Sequence, residues 1–319
     1  MTRARASAAG IWTALVTVYL VWGSTYLAIR VVVEAGIPPL LGMGTRFLIA
    51  GLILVGVIAA RDGVRSLRVT GRELRAAAVV GTLLLLGGNG LVAMAEQTVP
   101  SGLAALIVGA VPLWFVLLRV AGGERPGIRT WLGVLVGFAG IAAISLPRGG
   151  IDGVQMWGVV LIVGATLCWA LGSYLSPGIG LPRGAMLATA YEMLTGGAIM
   201  TAVGLVAGEA NDVAISDVPA RGWLALGYLV VVGSLLGYTA YVFALGNAPL
   251  SLVGTYAYVN PVVAVVLGWL ILAEPITAVV LGGGLLVVLG VAVVVGSERP
   301  QQPAAAAEPD RLVAEPARS

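Results

Sequence analysis

Long apolar runs alternate with short polar connections along the chain, at residues 11–30, 37–60, 74–97, 99–120, 128–146, 155–175, 184–208, 221–246, 250–272 and 277–296. Each run meets the roughly 20 apolar residues that a helix needs to cross a hydrocarbon core about 30 Å thick. The connections are rich in Gly, Pro and Arg. The pattern predicts an all-α integral membrane protein with ten transmembrane helices. The opening MTRARASAAGIW is basic, but the apolar run behind it is too long for a cleaved signal segment, so it reads as an uncleaved first span. The tail, residues 297–319, is built from Pro, Ala and acidic residues and reads as disordered and cytoplasmic.

The pattern repeats. Pro100 and Pro249, Pro112 and Pro261, and Pro126 and Pro275 are each 149 residues apart. Gly88 meets Gly237 at the same offset, Ala95 meets Ala244, and Leu103 meets Leu252. Trp22 falls near the place of Trp169, and Arg46 near that of Glu192, with small insertions accounting for the drift. The chain therefore divides into residues 11–146 and 151–296, five spans each. Five is odd, so the second copy enters the membrane upside down. Inverted repeats of this kind build secondary transporters, with the substrate near the midplane between the halves. Pro112 and Pro261 fall near mid-span, where a proline frees the carbonyl four residues earlier, here those of Val108 and Ala257. Both prolines are candidate gating kinks; a packing role for either stays open.

Composition narrows the classes. The chain is 59% hydrophobic and 10% charged, against about 25% charged in ordinary soluble domains. All 18 basic residues are arginine, and fourteen of them fall on one side of a ten-span topology with a cytoplasmic N-terminus. Only Arg148 and Arg221 fall on the other side, which predicts two cytoplasmic termini in the cell membrane. The net charge of +3 therefore reflects topology rather than nucleic acid. Cys168 reads as a small buried hydrophobe. With no His and no Lys, HExxH zinc chemistry and a Ser–Lys dyad are excluded. Asp62, Asp152, Asp212, Asp217 and Asp310 all lie outside the runs, which excludes an intramembrane aspartyl pair. There is no GxxxxGKS to bind ATP. No enzyme activity, cofactor or metal site is expected.

The stretches VWGSTYLAIR, TRFLIAGLIL, NGLVAMAEQTVPSGLAALIVGAVPLWFVLL and GERPGIRTWLGVLVGFAGIAAI resemble the EamA branch of the drug/metabolite transporter superfamily. So does SLLGYTAYVFALGNAPLSLVGTYAYVNPVVAVVLGWLILAEPIT in the second half. The resemblance runs over about residues 11–296. It implies two inverted five-helix halves and a cavity lined by spans 1, 3, 4, 6, 8 and 9. It also implies efflux of amino acids, related small metabolites or drugs. A channel, a lipid-handling protein or an importer of small metabolites are the competing readings.

Tyr19, Trp22 and Tyr26 share one face of span 1, too deep for an interfacial aromatic belt, and are cavity candidates with Trp169. Trp114, just past Pro112, either closes the cavity or meets lipid. Asn89, Tyr238, Tyr241, Tyr256 and Asn260 place amides and phenols on spans the resemblance assigns to the cavity. Each needs a partner in hydrocarbon, which is either a neighbouring helix or the substrate. Arg46 and Glu192 are ionisable residues inside spans that the resemblance places outside the cavity, so both read as structural anchors or as side chains that snorkel to the interface; Glu192 as a proton carrier is the alternative. Glu96 and Glu274 sit at span ends and are expected to be wetted. Small-residue stripes at Ser101, Ala105 and Gly109, and at Gly233 and Gly237, read as close-packing seams.

Overall fold

The structure is a computed structural model and describes residues 7–145, 155–211, 215–248, 250–253 and 255–297. The tail beyond Ser297, the opening arginines, Arg148 and Pro249 lie outside the described residues. Ten spans are present, and no strand occurs among the described residues. Span 1 is Ala8–Glu34, span 2 Pro39–Asp62, span 3 Gly71–Ala95, span 4 Ser101–Ala121 and span 5 Ile128–Ser145. Span 6 is Met156–Leu175, span 7 Ala185–Val206, span 8 covers 220–247, span 9 comprises Leu250–Val253 and Tyr256–Leu272, and span 10 is Ala278–Ser297. Eight are long and apolar enough to cross a bilayer, and spans 5 and 9 supply the shorter apolar helices Ile128–Ala143 and Val259–Leu272. Large apolar side chains such as Leu20, Leu52, Val160 and Leu285 point outward, as contact with lipid requires.

Local signals in the sequence set the ends. Ser7 accepts the Gly10 amide at 3.1 Å and starts span 1. Thr70 and Glu73 form a capping box at the start of span 3, each satisfying an amide of the other. Gly63, with φ of 80°, turns the chain out of span 2 at little steric cost.

The packing follows the twofold relation of the two copies. Span 1 packs on spans 8 and 9, while its counterpart, span 6, packs on spans 3 and 4. Span 2 pairs with span 7, and span 5 with span 10. Glycines make these pairings close. A Cβ on Gly133 would lie 2.7 Å from the Gly290 carbonyl oxygen, so spans 5 and 10 touch backbone to backbone. The core divides accordingly, with one apolar cluster around Phe47, Met193 and Leu229 and another around Ile107, Leu113 and Ile162.

Two features depart from simple α-helices. Thr82–Gly90 in span 3 and Leu229–Leu236 in span 8 wind as π-helix. Moved back by the 149-residue offset, the second falls on residues 80–87 and overlaps the first. The same local unwinding thus occurs twice, in symmetry-related spans.

Span 4 is broken, and the break precedes Pro112. The first piece ends at Val108, Ala110 N–H bonds Ile107 O at 3.1 Å, and helix resumes at Val111. Pro112 is thus in the first turn of the resumed helix, where its missing N–H costs nothing. Pro261 behaves differently, because it lies inside the helix Tyr256–Leu272. The expected pair of equivalent kinks is an asymmetric pair.

Candidate substrate-binding site

Trp22 holds the centre of an aromatic cluster between spans 1, 8 and 9. Its ring meets Tyr238, Tyr241 and Tyr256 at centroid distances of 5.6, 4.9 and 5.4 Å. Tyr241 and Tyr256 meet edge to face at 5.9 Å. These are the offset and edge-on distances that ring quadrupoles favour. The spacing of Tyr19 and Trp22 turns both toward this cluster, and Gly237 leaves room for the indole: a Cβ there would lie 2.5 Å from Trp22 Nε1. The Tyr19 hydroxyl bonds Thr255 Oγ1. Asn260 is buried, and with its amide turned to suit its neighbours it donates to the carbonyls of Tyr256 and Tyr19, both at 3.2 Å. Ser24, two residues past Trp22 and on another side of span 1, bonds the Tyr228 hydroxyl at 2.6 Å.

The other sequence candidates lie apart from that cluster. Trp169 of span 6 packs on span 3, where a Cβ on Gly88 would lie 2.8 Å from its ring. Gly88 and Gly237 are related by the repeat offset, so each central tryptophan lies on the equivalent glycine. Asn89 sits in the first π segment, and its amide donates to Leu84 O of its own helix at 3.2 Å. Trp114 faces protein: its indole N–H donates to Thr166 Oγ1 of span 6 at 2.8 Å, and its ring meets Phe138 of span 5 at 5.2 Å. Tyr26 is the exception: it packs against the second core cluster and lies within electrostatic reach of Tyr256.

Arg46 is 3% exposed, so it does not reach the interface by snorkelling. Its Nε donates to Ser234 Oγ in the second π segment at 3.0 Å, and its guanidinium lies 4.6 Å from the Phe47 ring centre. The guanidinium thereby ties span 2 to span 8. Tyr238 lies within electrostatic reach of both Arg46 and Glu192, so the aromatic cluster has charged groups behind it. The glycine stripe is a seam as expected, since a Cβ on Gly233 would lie 3.1 Å from Arg46 Nη2.

The bundle end away from the arginine-rich connections is acidic, and it differs from the sequence expectation. Glu96 is fully buried rather than wetted, and neither carboxyl oxygen has a hydrogen-bond partner. Arg30 pairs with Glu34 at 2.6 Å and donates to the backbone carbonyl of Glu96, drawing span 1 over that residue. Burial, then the nearby Glu274 carboxylate, push the Glu96 carboxyl well above the ordinary range, with Arg30 pulling it back. Glu274 accepts the amides of Ser101 and Gly102 at 2.7 and 3.0 Å, capping span 4. Glu209 accepts the amides of Leu40 and Leu41 at 3.1 and 2.8 Å, capping span 2. Both caps cross from the second copy to the first. Nothing in local spacing distinguishes a buried span end from a wetted one, or shows which helix a loop glutamate will reach.

Comparison with known proteins agrees with this architecture. The family model described as "EamA-like transporter family" matches twice, at residues 8–146 and 156–296. The uncharacterized inner membrane transporter YedA of Escherichia coli K12 is 41% identical over 260 residues, covering 81% of each chain. The uncharacterized transporter YvbV of Bacillus subtilis is 28% identical, covering 82% of this chain and 84% of its own. A solved crystal structure shares the fold with a TM-score of 0.60 at 21% identity, over 90% of this chain and 96% of that one.

Proposed function

We propose, from the premise that this chain belongs to the EamA-like transporter family and is a multi-pass membrane transporter, that it exports small amphipathic metabolites by alternating access. Amino acids and their relatives are the favoured class. The carrying observation is the Trp22 cluster, a set of phenols, hydroxyls and one amide where spans 1, 8 and 9 meet. Such a wall suits a zwitterion or a neutral solute. Amides and hydroxyls meet its polar groups, and aromatic faces attract an ammonium by ~0.5–2 kcal/mol. A multiply charged sugar phosphate would need paired cations, because an unpaired buried charge costs several kcal/mol. Arg46, a cation within electrostatic reach of Tyr238, already bonds Ser234 and faces Phe47.

Alternating access is supported by the inverted repeat and by the break of span 4 beside the proline of span 9. Outward transport follows the family resemblance, with both termini in the cytoplasm of the cell. The test is reconstitution in lipid vesicles loaded with radiolabelled amino acids, neutral metabolites or sugar phosphates. Saturable, competable amino-acid flux is the expected result. Preference for sugar phosphates or nucleotides would overturn the substrate class, and unsaturable flux with single-channel currents would overturn the carrier mechanism.

A further inference from the structure

A carboxyl group buried without a hydrogen-bonding partner from the protein is expensive to hold as an anion. Glu96 is in that position: 0% exposed, one residue past the end of span 3, with both oxygens unbonded. Ser101 Oγ, at the start of span 4, is buried and without a partner as well. Between these two residues the chain turns from span 3 into span 4. Over that turn lies Glu274 from the other half, its carboxylate occupied by the Ser101 and Gly102 amides.

We propose that Glu96 is a proton-binding site that controls closure of the acidic end of the bundle. Closure seats the Glu274 carboxylate on the amides of span 4 while Glu96 carries a proton as a neutral acid. Loss of that proton to water at the acidic end leaves a buried Glu96 carboxylate within electrostatic reach of the Glu274 charge, and the halves part there. This deepens the alternating-access reading and rests on it.

Two observations favour a proton over other ligands. Among the described residues no group of three or more metal-ligating side chains gathers anywhere. Among the described residues, the cation acting on Glu96 is Arg30, which is engaged with Glu34 and with the backbone carbonyls of Glu96 and Val99.

The charged and titratable groups around Glu96 are few. Span 1 brings Tyr26, Arg30 and Glu34, and the connection between spans 9 and 10 brings Glu274. Spans 2 and 6 also pack on this stretch; Pro39–Thr45 and Met156–Thr166 contain no titratable side chain. The sign follows from burial. In this structure, with the end closed, the carboxyl titrates above its usual range, and exposure to water on opening would bring it back toward that range. Closure is therefore fully supported at acidic pH, below the open-state value, and is lost as pH rises through the closed-state value.

The test needs no transported substrate. Spin labels are placed at Gln97 and Ile276, both exposed and in opposite halves, in a Cys168→Ser background reconstituted in lipid vesicles. Their separation is measured across pH. The wild-type pair should shift from a short to a long distance as pH rises, and Glu96→Gln should hold the short distance throughout. A wild-type distance that ignores pH, or a Glu96→Gln variant that follows the wild type, would overturn the proposal. If Glu96→Gln fails to fold, infrared titration of the wild type against Glu274→Gln decides. Removing the neighbouring charge should move a protonated-carboxyl band to lower pH; an unmoved band would also overturn it. Failure to carry amino acids would sink the substrate class and leave these readouts standing.

Discussion

Gly109 of span 4 lies against Pro261 of span 9. A Cβ on Gly109 would sit 3.0 Å from Pro261 Cγ and 3.4 Å from the Ala257 carbonyl oxygen, the carbonyl that Pro261 deprives of its helical donor. The turn that breaks one span and the proline inside its counterpart are thus one contact. Gly109→Val should overpack it, at a cost of about 1–3 kcal/mol, and slow transport more than it lowers the amount of folded protein. Pro261→Ala should restore a backbone bond, stiffen span 9 and reduce the rate as well. Pro112→Ala should matter much less, because Pro112 sits in a first helical turn. Vesicle flux for the three variants decides, and equal effects of the two prolines would show that position in the helix is irrelevant.

Trp22 should be the most sensitive of the cavity candidates. It makes three ring contacts, each worth about 0.5–1.5 kcal/mol beyond burial. Trp22→Ala should therefore abolish most efflux and lower the unfolding temperature in detergent, with Trp22→Phe intermediate. Trp169→Ala should cut efflux with a smaller thermal effect. A Trp22→Ala protein that transports like wild type would remove this cluster from the substrate path.

Arg46 and Ser234 make a prediction about assembly. Ser234→Ala leaves a buried guanidinium short of one acceptor, which costs about 1–3 kcal/mol. Arg46→Ala also empties the space over Phe47 and should chiefly lower the yield of folded protein. Arg46→Met fills that space and should recover part of the yield. Detergent-stable yield and melting temperature measure both effects. A loss of transport at full yield and stability would instead make Arg46 part of the substrate path.

The ten spans and their repeat were legible because membrane burial writes itself into long apolar runs, and because prolines and glycines keep their spacing through duplication. Helical phase put Tyr19, Trp22 and Tyr26 on one face of span 1, but did not show which tyrosines of spans 8 and 9 the Trp22 ring would meet. Three things were not legible. The π segments need hydrogen-bond geometry, since TLLLLGGNG and LVVVGSLL read as ordinary apolar helix. The break before Pro112 depends on how Gly109 meets Pro261 across the bundle. Glu96 looked like a span end, and its burial arises only when Arg30 and Glu274 from other spans close over it.

Topology gives an independent check. The arginine asymmetry predicts that reporter fusions after Glu34, Gly150 and Asp212 will read as external, and one after Gly63 as internal. In whole cells the acidic end would then face outward. An internal reading after Glu34 would reverse the orientation and, with it, the direction of proton release.

The two glutamate caps should hold the halves together at the acidic end. Glu209 and Glu274 each accept two helix-start amides from the other copy, at 2.7 to 3.1 Å. A cap of this kind contributes about 0.5–2 kcal/mol, toward the upper part when the acceptor is charged and sheltered. Glu209→Ala and Glu274→Ala should therefore each lower the melting temperature and loosen the acidic end. A glutamine at either position keeps one carbonyl oxygen for one of the two amides and should recover part of the loss. The variants should differ in one respect. Glu274 faces Glu96, so Glu274→Ala should also blunt the pH dependence of the spin-label separation, whereas Glu209→Ala should leave that dependence intact. Matching pH profiles for the two alanine variants would mean that Glu274 acts only as a cap.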